Sequence, residues 1–68
     1  MIANDAELKS TLARITWFQE QVIQLRATET NPANYHAASG GFLTEIDRMQ
    51  RDVREYLSFH PLELAGAA

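Results

Sequence analysis

The most regular stretch of the chain reads FLTEIDRMQRDVREY and runs from Phe42 to Tyr56. Its apolar residues alternate spacings of four and three, the rhythm of a helix that packs one stripe against another helix. We call this stripe the seam; it contains Phe42, Ile46, Met49, Val53 and Tyr56, with Leu43 and Leu57 widening it. Because Pro61 disfavours helical geometry at the preceding residue, we predict an amphipathic helix over about residues 41–59.

A second periodic stretch precedes the seam. Asn4 followed by Glu7 forms a capping-box pattern, so a helix should begin near Asp5. Neither glycine nor proline interrupts the chain from there to Thr28. One side of this helix is apolar and carries Leu8, Leu12, Ile15, Phe18, Val22 and Leu25. These features predict a long amphipathic helix over about residues 5–28.

The segment between the two stretches contains the turn signals. Asn31-Pro32 can start a single helical turn, and Gly40-Gly41 then interrupts the chain before the second helix. We therefore predict a turn over about residues 29–40 and a short C-terminal tail after the second helix. The expected fold is all-α, one antiparallel two-helix hairpin domain spanning residues 1–68. Two helices alone leave much of both apolar stripes exposed to water, so we expect dimerisation into a four-helix bundle.

Composition excludes several classes of protein. The 68 residues contain no cysteine, which removes disulfides, thiolate metal sites and cysteine nucleophiles. With 46% hydrophobic and 22% charged residues, the chain has the composition of a globular protein. It has no apolar run of the ~18 residues that a membrane-spanning helix needs, and its first residues do not form a secretory signal. We expect a cytoplasmic protein without a membrane partner.

Catalytic and metal-binding patterns are also missing from the sequence. His36 and His60 are the only histidines, and the hairpin places them at opposite ends, so we predict no shared metal site. His60 is instead expected to interact with the last carbonyl groups of the second helix. No phosphate-binding loop or nucleophile motif is present. We predict no catalytic residue, no cofactor and no enzymatic activity.

Three arginines offer an alternative function. Arg48, Arg51 and Arg54 form a basic cluster on the second helix, which could contact nucleic acid. Each has an acidic neighbour at hand, and the net charge is −3. A solvated, charge-balanced face is therefore favoured over a phosphate-binding stripe.

Trp17 stands out because it lies off the apolar stripe of the first helix. Either a broad core reaches around the helix to it, or it belongs to a subunit or partner contact, as tryptophan often does. Ile23 and Phe59 are the other apolar residues away from the seam. The predicted interface residues are Trp17, Ile23, Phe59, Phe18, Val22, Ile46, Met49, Val53 and Tyr56.

The second half of the chain carries a family resemblance. The runs from Gly41 to Gln50 and from Val53 to Pro61, with Asn31-Pro32, resemble small bacterial helical-hairpin proteins. They are also similar to the N-terminal helical segments of toxin–antitoxin antitoxins that carry a helix-turn-helix domain further on. The 68 residues lack that DNA-binding domain. The resemblance implies a helical module that binds a protein, either a toxin or a regulator.

Together these observations predict a self-associating, non-enzymatic protein–protein interaction module, expected to be a bacterial toxin–antitoxin or regulatory component. The expected partners are a second copy and a further protein whose identity the sequence does not give. Two alternatives remain, a small nucleic-acid-binding regulator and a structural subunit of a larger complex.

Overall fold

The computed structural model describes residues 1–66, which form three helices and no strand. They are α1 at Asp5–Thr28, α2 at Pro32–Leu57 and α3 at Pro61–Gly66. α1 and α2 pack against each other as an antiparallel hairpin, which confirms the predicted all-α hairpin. The molecule measures 53 × 16 × 12 Å, so it is a rod only one layer of helices thick.

The N-terminus of α1 is capped as the sequence predicts. The Asn4 side chain accepts a hydrogen bond from the backbone N–H of Glu7 at 2.9 Å. In addition, the Asn4 side-chain amide donates to the Glu7 carboxylate at 3.5 Å. Asp5 and Glu7 in the first turn place negative charge at the positive end of the helix dipole.

The connection between the helices is much shorter than predicted. It consists of residues 29–31 only, so the expected turn over residues 29–40 is wrong. The backbone N–H of Asn31 donates to the Glu29 carboxylate at 3.1 Å, which folds the chain back on itself. The Asn31 side chain then accepts from the Ala33 N–H at 2.9 Å, and Pro32 occupies the first helical turn. This cap and proline start α2 nine residues before the predicted helix.

The glycine pair lies inside α2 instead of ending a turn. Neither Gly40 nor Gly41 has a positive φ, so both have ordinary right-handed backbone geometry. A glycine in a helix costs roughly 0.5–1 kcal/mol relative to alanine. Ser39, immediately before the pair, is buried, which shows that this part of α2 packs closely on the hairpin. Packing of the whole helix on α1 therefore exceeds the local preference of two glycines.

The core lies along the seam. Ile15, Ile46 and Met49 are buried, and Phe18, Val22 and Val53 pack against them. Ile2 is also buried, although it precedes α1 and the sequence pattern does not single it out. Leu43 and Leu57 do not widen the core as expected, because both side chains remain exposed.

The C-terminal end differs from the predicted tail. α2 ends at Leu57, and α3 begins at Pro61, where a short tail was expected. The imidazole Nδ1 of His60 accepts a hydrogen bond from the backbone N–H of Leu62 at 3.1 Å. His60 thus caps the start of α3 and does not serve the end of α2 as predicted, because the chain turns immediately after Ser58. Residues 67–68 of the predicted tail lie outside the described residues.

Candidate interaction surfaces

One broad side of the hairpin carries four exposed apolar side chains. At about 100° per residue, Leu12 and Ile23 project from the same side of α1. Leu43 and Leu57 likewise share one side of α2. We call these four residues the apolar face; their exposed fractions are 45% for Leu12, 63% for Ile23, 44% for Leu43 and 62% for Leu57. Isolated exposed leucines are ordinary on protein surfaces, but a group on one side of two packed helices is a candidate contact surface.

A shallow groove runs between the helices on this face. Ile23 and Leu43 lie on its two sides, which shows that the apolar residues of α1 and α2 border the same depression. None of its lining side chains is ionisable; they are Gln19, Val22, Ile23, Leu43, Ile46 and Gln50. The groove therefore offers apolar area and two carboxamides to a molecule that covers it.

The opposite side of the hairpin is charged. Its groove is lined by four ionisable side chains, among other residues: Glu7, Arg14, Arg48 and Asp52. Arg48 Nη2 lies 2.7 Å from the Glu45 carboxylate, and its Nη1 lies 3.8 Å from Asp52. The hydrogen bond and positive charge of Arg48 hold the pKa of Glu45 below its ordinary value. We call this side the charged face; within it, Arg48 is paired with carboxylates of the same chain.

The arginines of α2 spread across one side of the helix. Arg48, Arg51 and Arg54 fan over about 120° of the helix surface at 100° per residue. Arg48 is held by Glu45 and Asp52. Within the described residues, Arg51 has no carboxylate oxygen within 4 Å of its guanidinium group.

Trp17 anchors a small aromatic cluster. Its ring centroid lies 5.3 Å from that of Phe18 and 6.5 Å from that of Phe42. The rings of Phe18 and Phe42 are 5.7 Å apart across the two helices. We call Trp17, Phe18 and Phe42 the aromatic edge. Trp17 is 51% exposed, so about half of it contacts the rest of the aromatic edge and the other half faces solvent.

The end of the hairpin opposite the connection contains contacts that link the N-terminal residues to α2. The Tyr56 hydroxyl donates to the Asp5 carboxylate at 2.6 Å. This hydrogen bond, with the nearby negative charge, raises the pKa of Tyr56 above its ordinary value. The Met1 amine lies 3.5 Å from Asp52, and Phe59 lies exposed beside this end. No sequence spacing relates Asp5 to Tyr56, so only the register of the folded hairpin reveals the contact.

The histidines are separated. His36 is exposed on α2 with its ring centroid 5.6 Å from that of Tyr35, whereas His60 caps α3 at the other end. Within residues 1–66, no group of three or more histidine, cysteine or carboxylate side chains could hold a metal ion. None of the described helices is long and apolar enough to cross a membrane.

Comparison with known proteins identified no relative of this chain. No family model, curated protein or solved structure matches it. The candidate surfaces are therefore interpreted from their own chemistry.

Proposed function

We propose that this chain is a non-enzymatic, self-associating helical module that acts through protein–protein contacts. Its setting is proposed to be the bacterial cytoplasm, in a regulatory system of the toxin–antitoxin kind. The hairpin dimerises into a four-helix bundle, and the assembled bundle presents its remaining surfaces to a protein partner.

The observation that supports self-association is the amount of exposed surface. The chain exposes 5309 Å². A compact monomer of 7.7 kDa exposes only about 4300 Å² on the usual scaling of surface with mass. The excess of about 1000 Å² is close to the ~800 Å² that each partner buries in a stable protein complex.

The small core supports the same proposal. Three buried apolar side chains form the central cluster, Ile15, Ile46 and Met49, with three more packed partly against it. A chain of this size has a stability of only about 3–5 kcal/mol from one core, and it lacks a disulfide to add to it. Association of two hairpins supplies the missing apolar burial.

Thermal unfolding over a range of concentrations tests this proposal. Because a dimer is favoured by mass action, the midpoint of unfolding followed by circular dichroism should rise as chain concentration increases from about 1 to 100 μM. A midpoint that stays constant over this range would contradict self-association.

The nucleic-acid alternative has a separate test. Replacing Arg48, Arg51 and Arg54 together by glutamine should leave retention on immobilised DNA unchanged, because the wild type is expected to show none at physiological salt. A phosphate-binding surface would instead give salt-dependent retention that disappears in the triple variant.

A further inference from the structure

We infer that residues 1–5 form a clasp that holds the open end of the hairpin shut, the end opposite the connection. Release of the clasp lets this end open while the rest of the hairpin stays folded. The clasp consists of the buried Ile2 side chain and the hydrogen bond between Asp5 and Tyr56. Because all of these groups belong to one chain, the inference does not depend on the proposed self-association.

The two helices bury little of their own surface at the open end. Of the described residues, none in α1 before Ile15 is buried, and none in α2 after Met49 is buried. The core cluster therefore stops about two helical turns short of this end. At the other end, the three-residue connection joins the helices covalently, and Ser39 is buried. The open end thus needs a contact from outside the two helices.

Ile2 supplies the apolar burial that this end lacks. Its side chain is only 8% exposed, although the residue precedes α1 and lies outside any helix. Ile2 borders the groove of the charged face, which Met49 and Asp52 also line. It also borders a second depression, which Asp52 and Tyr56 line. Ile2 therefore lies beside the last two turns of α2, and its removal from water favours the closed end.

The hydrogen bond from the Tyr56 hydroxyl to the Asp5 carboxylate fixes the same segment in place. It joins residues 51 positions apart, with the two oxygens separated by 2.6 Å. Asp5 is the first residue of α1, so the bond ties the start of α1 to the last turn of α2. The ion pair between the Met1 amine and Asp52 adds little, because the amine is exposed to water. One apolar contact and one hydrogen bond thus hold this end, and their loss opens it locally.

Amide hydrogen exchange, resolved by residue with NMR at one fixed chain concentration, tests the clasp. Ile2→Ala should accelerate exchange at residues 50–57 by about 10-fold or more, because a helix end that loses its tertiary contact frays. Exchange at residues 42–49, beside the core cluster, should change by less than about twofold. Ile23→Ala is the matched control, since it makes the same truncation at a side chain that is 63% exposed. It should leave exchange at residues 50–57 unchanged.

Tyr56→Phe provides a second test that does not risk unfolding the chain. It removes only the hydroxyl and keeps the ring, so exchange at residues 50–57 should rise by about threefold. Tyr35→Phe is the control, because it removes the same group from the first turn of α2, next to the connection. It should leave exchange at the open end unchanged.

Local acceleration in both Ile2→Ala and Tyr56→Phe, without change in the two controls, supports the clasp. Unchanged exchange at residues 50–57 in either variant would show that the open end does not depend on that contact, and would overturn the inference. Acceleration by the same factor along all of α1 and α2 would overturn it too, because Ile2 would then support the whole fold and no local opening would exist. Neither result depends on whether the chain is a monomer or a dimer.

Discussion

Replacement of the glycines in α2 should stabilise the protein. Gly40 and Gly41 both have right-handed backbone geometry, and a methyl group added at either position meets no atom within 4 Å. Alanine therefore fits without strain, while it reduces the conformational freedom of the unfolded chain. Each substitution should stabilise by about 0.5–1 kcal/mol, and the double variant by about 1–2 kcal/mol.

The assay is thermal unfolding at one fixed chain concentration. For a domain of this size, each kcal/mol shifts the midpoint by about 4–8 °C, so the double variant should unfold roughly 5–15 °C above the wild type. Ala37→Gly is the matched reverse control, because Ala37 is exposed in the same helix. It should lower the midpoint by about 4–8 °C.

This prediction separates a continuous helix from the turn that the sequence suggests. If the glycines formed a turn with positive φ, alanine would be strained there and both variants would be less stable. Destabilisation by Gly40→Ala and Gly41→Ala would therefore refute the continuous helix α2.

Two further predictions concern the seam and the open end of the hairpin. Val53→Asp should destabilise the protein by about 3 kcal/mol because it places a carboxylate against the core, whereas Arg54→Ala on the solvated side should change stability by less than about 0.5 kcal/mol. Chemical denaturation that ranked the two variants in reverse would show that the wrong face of α2 had been assigned to the core. Asp5→Asn should lower the pKa of Tyr56, as followed by ultraviolet titration, since the carboxylate raises it. Because the folded pKa lies above the unfolded value of ~10, this contact stabilises the hairpin below that pH, and its contribution is lost as pH rises through the folded pKa. A Tyr56 titration that does not change in Asp5→Asn would contradict the contact.

The sequence predicts the elements that depend on local pattern. The alternation of Ile46, Met49 and Val53 identifies the buried side of α2 because a helix brings residues three and four apart to one side. The Asn4 cap is likewise local, since the bond joins residues within one turn. Both features are determined within a few residues.

The errors arise where distant contacts outweigh local preference. Gly40-Gly41 favours a break by only about 1–2 kcal/mol in total, and packing along the whole of α2 exceeds that. The contact between Asp5 and Tyr56 requires the register of the folded hairpin. Which side chains form the apolar face depends on how the two helices are rotated relative to each other. The pattern of α2 alone does not contain this information, so it wrongly predicts that Leu43 and Leu57 belong to the core.

Sedimentation equilibrium of the wild-type protein tests the central claim most directly. At micromolar concentration and physiological salt, the mass should be twice the 7.7 kDa of the single chain. Circular dichroism of the same samples should show the helical hairpin. A helical species that sediments with the mass of one chain across this concentration range would contradict the claim of self-association.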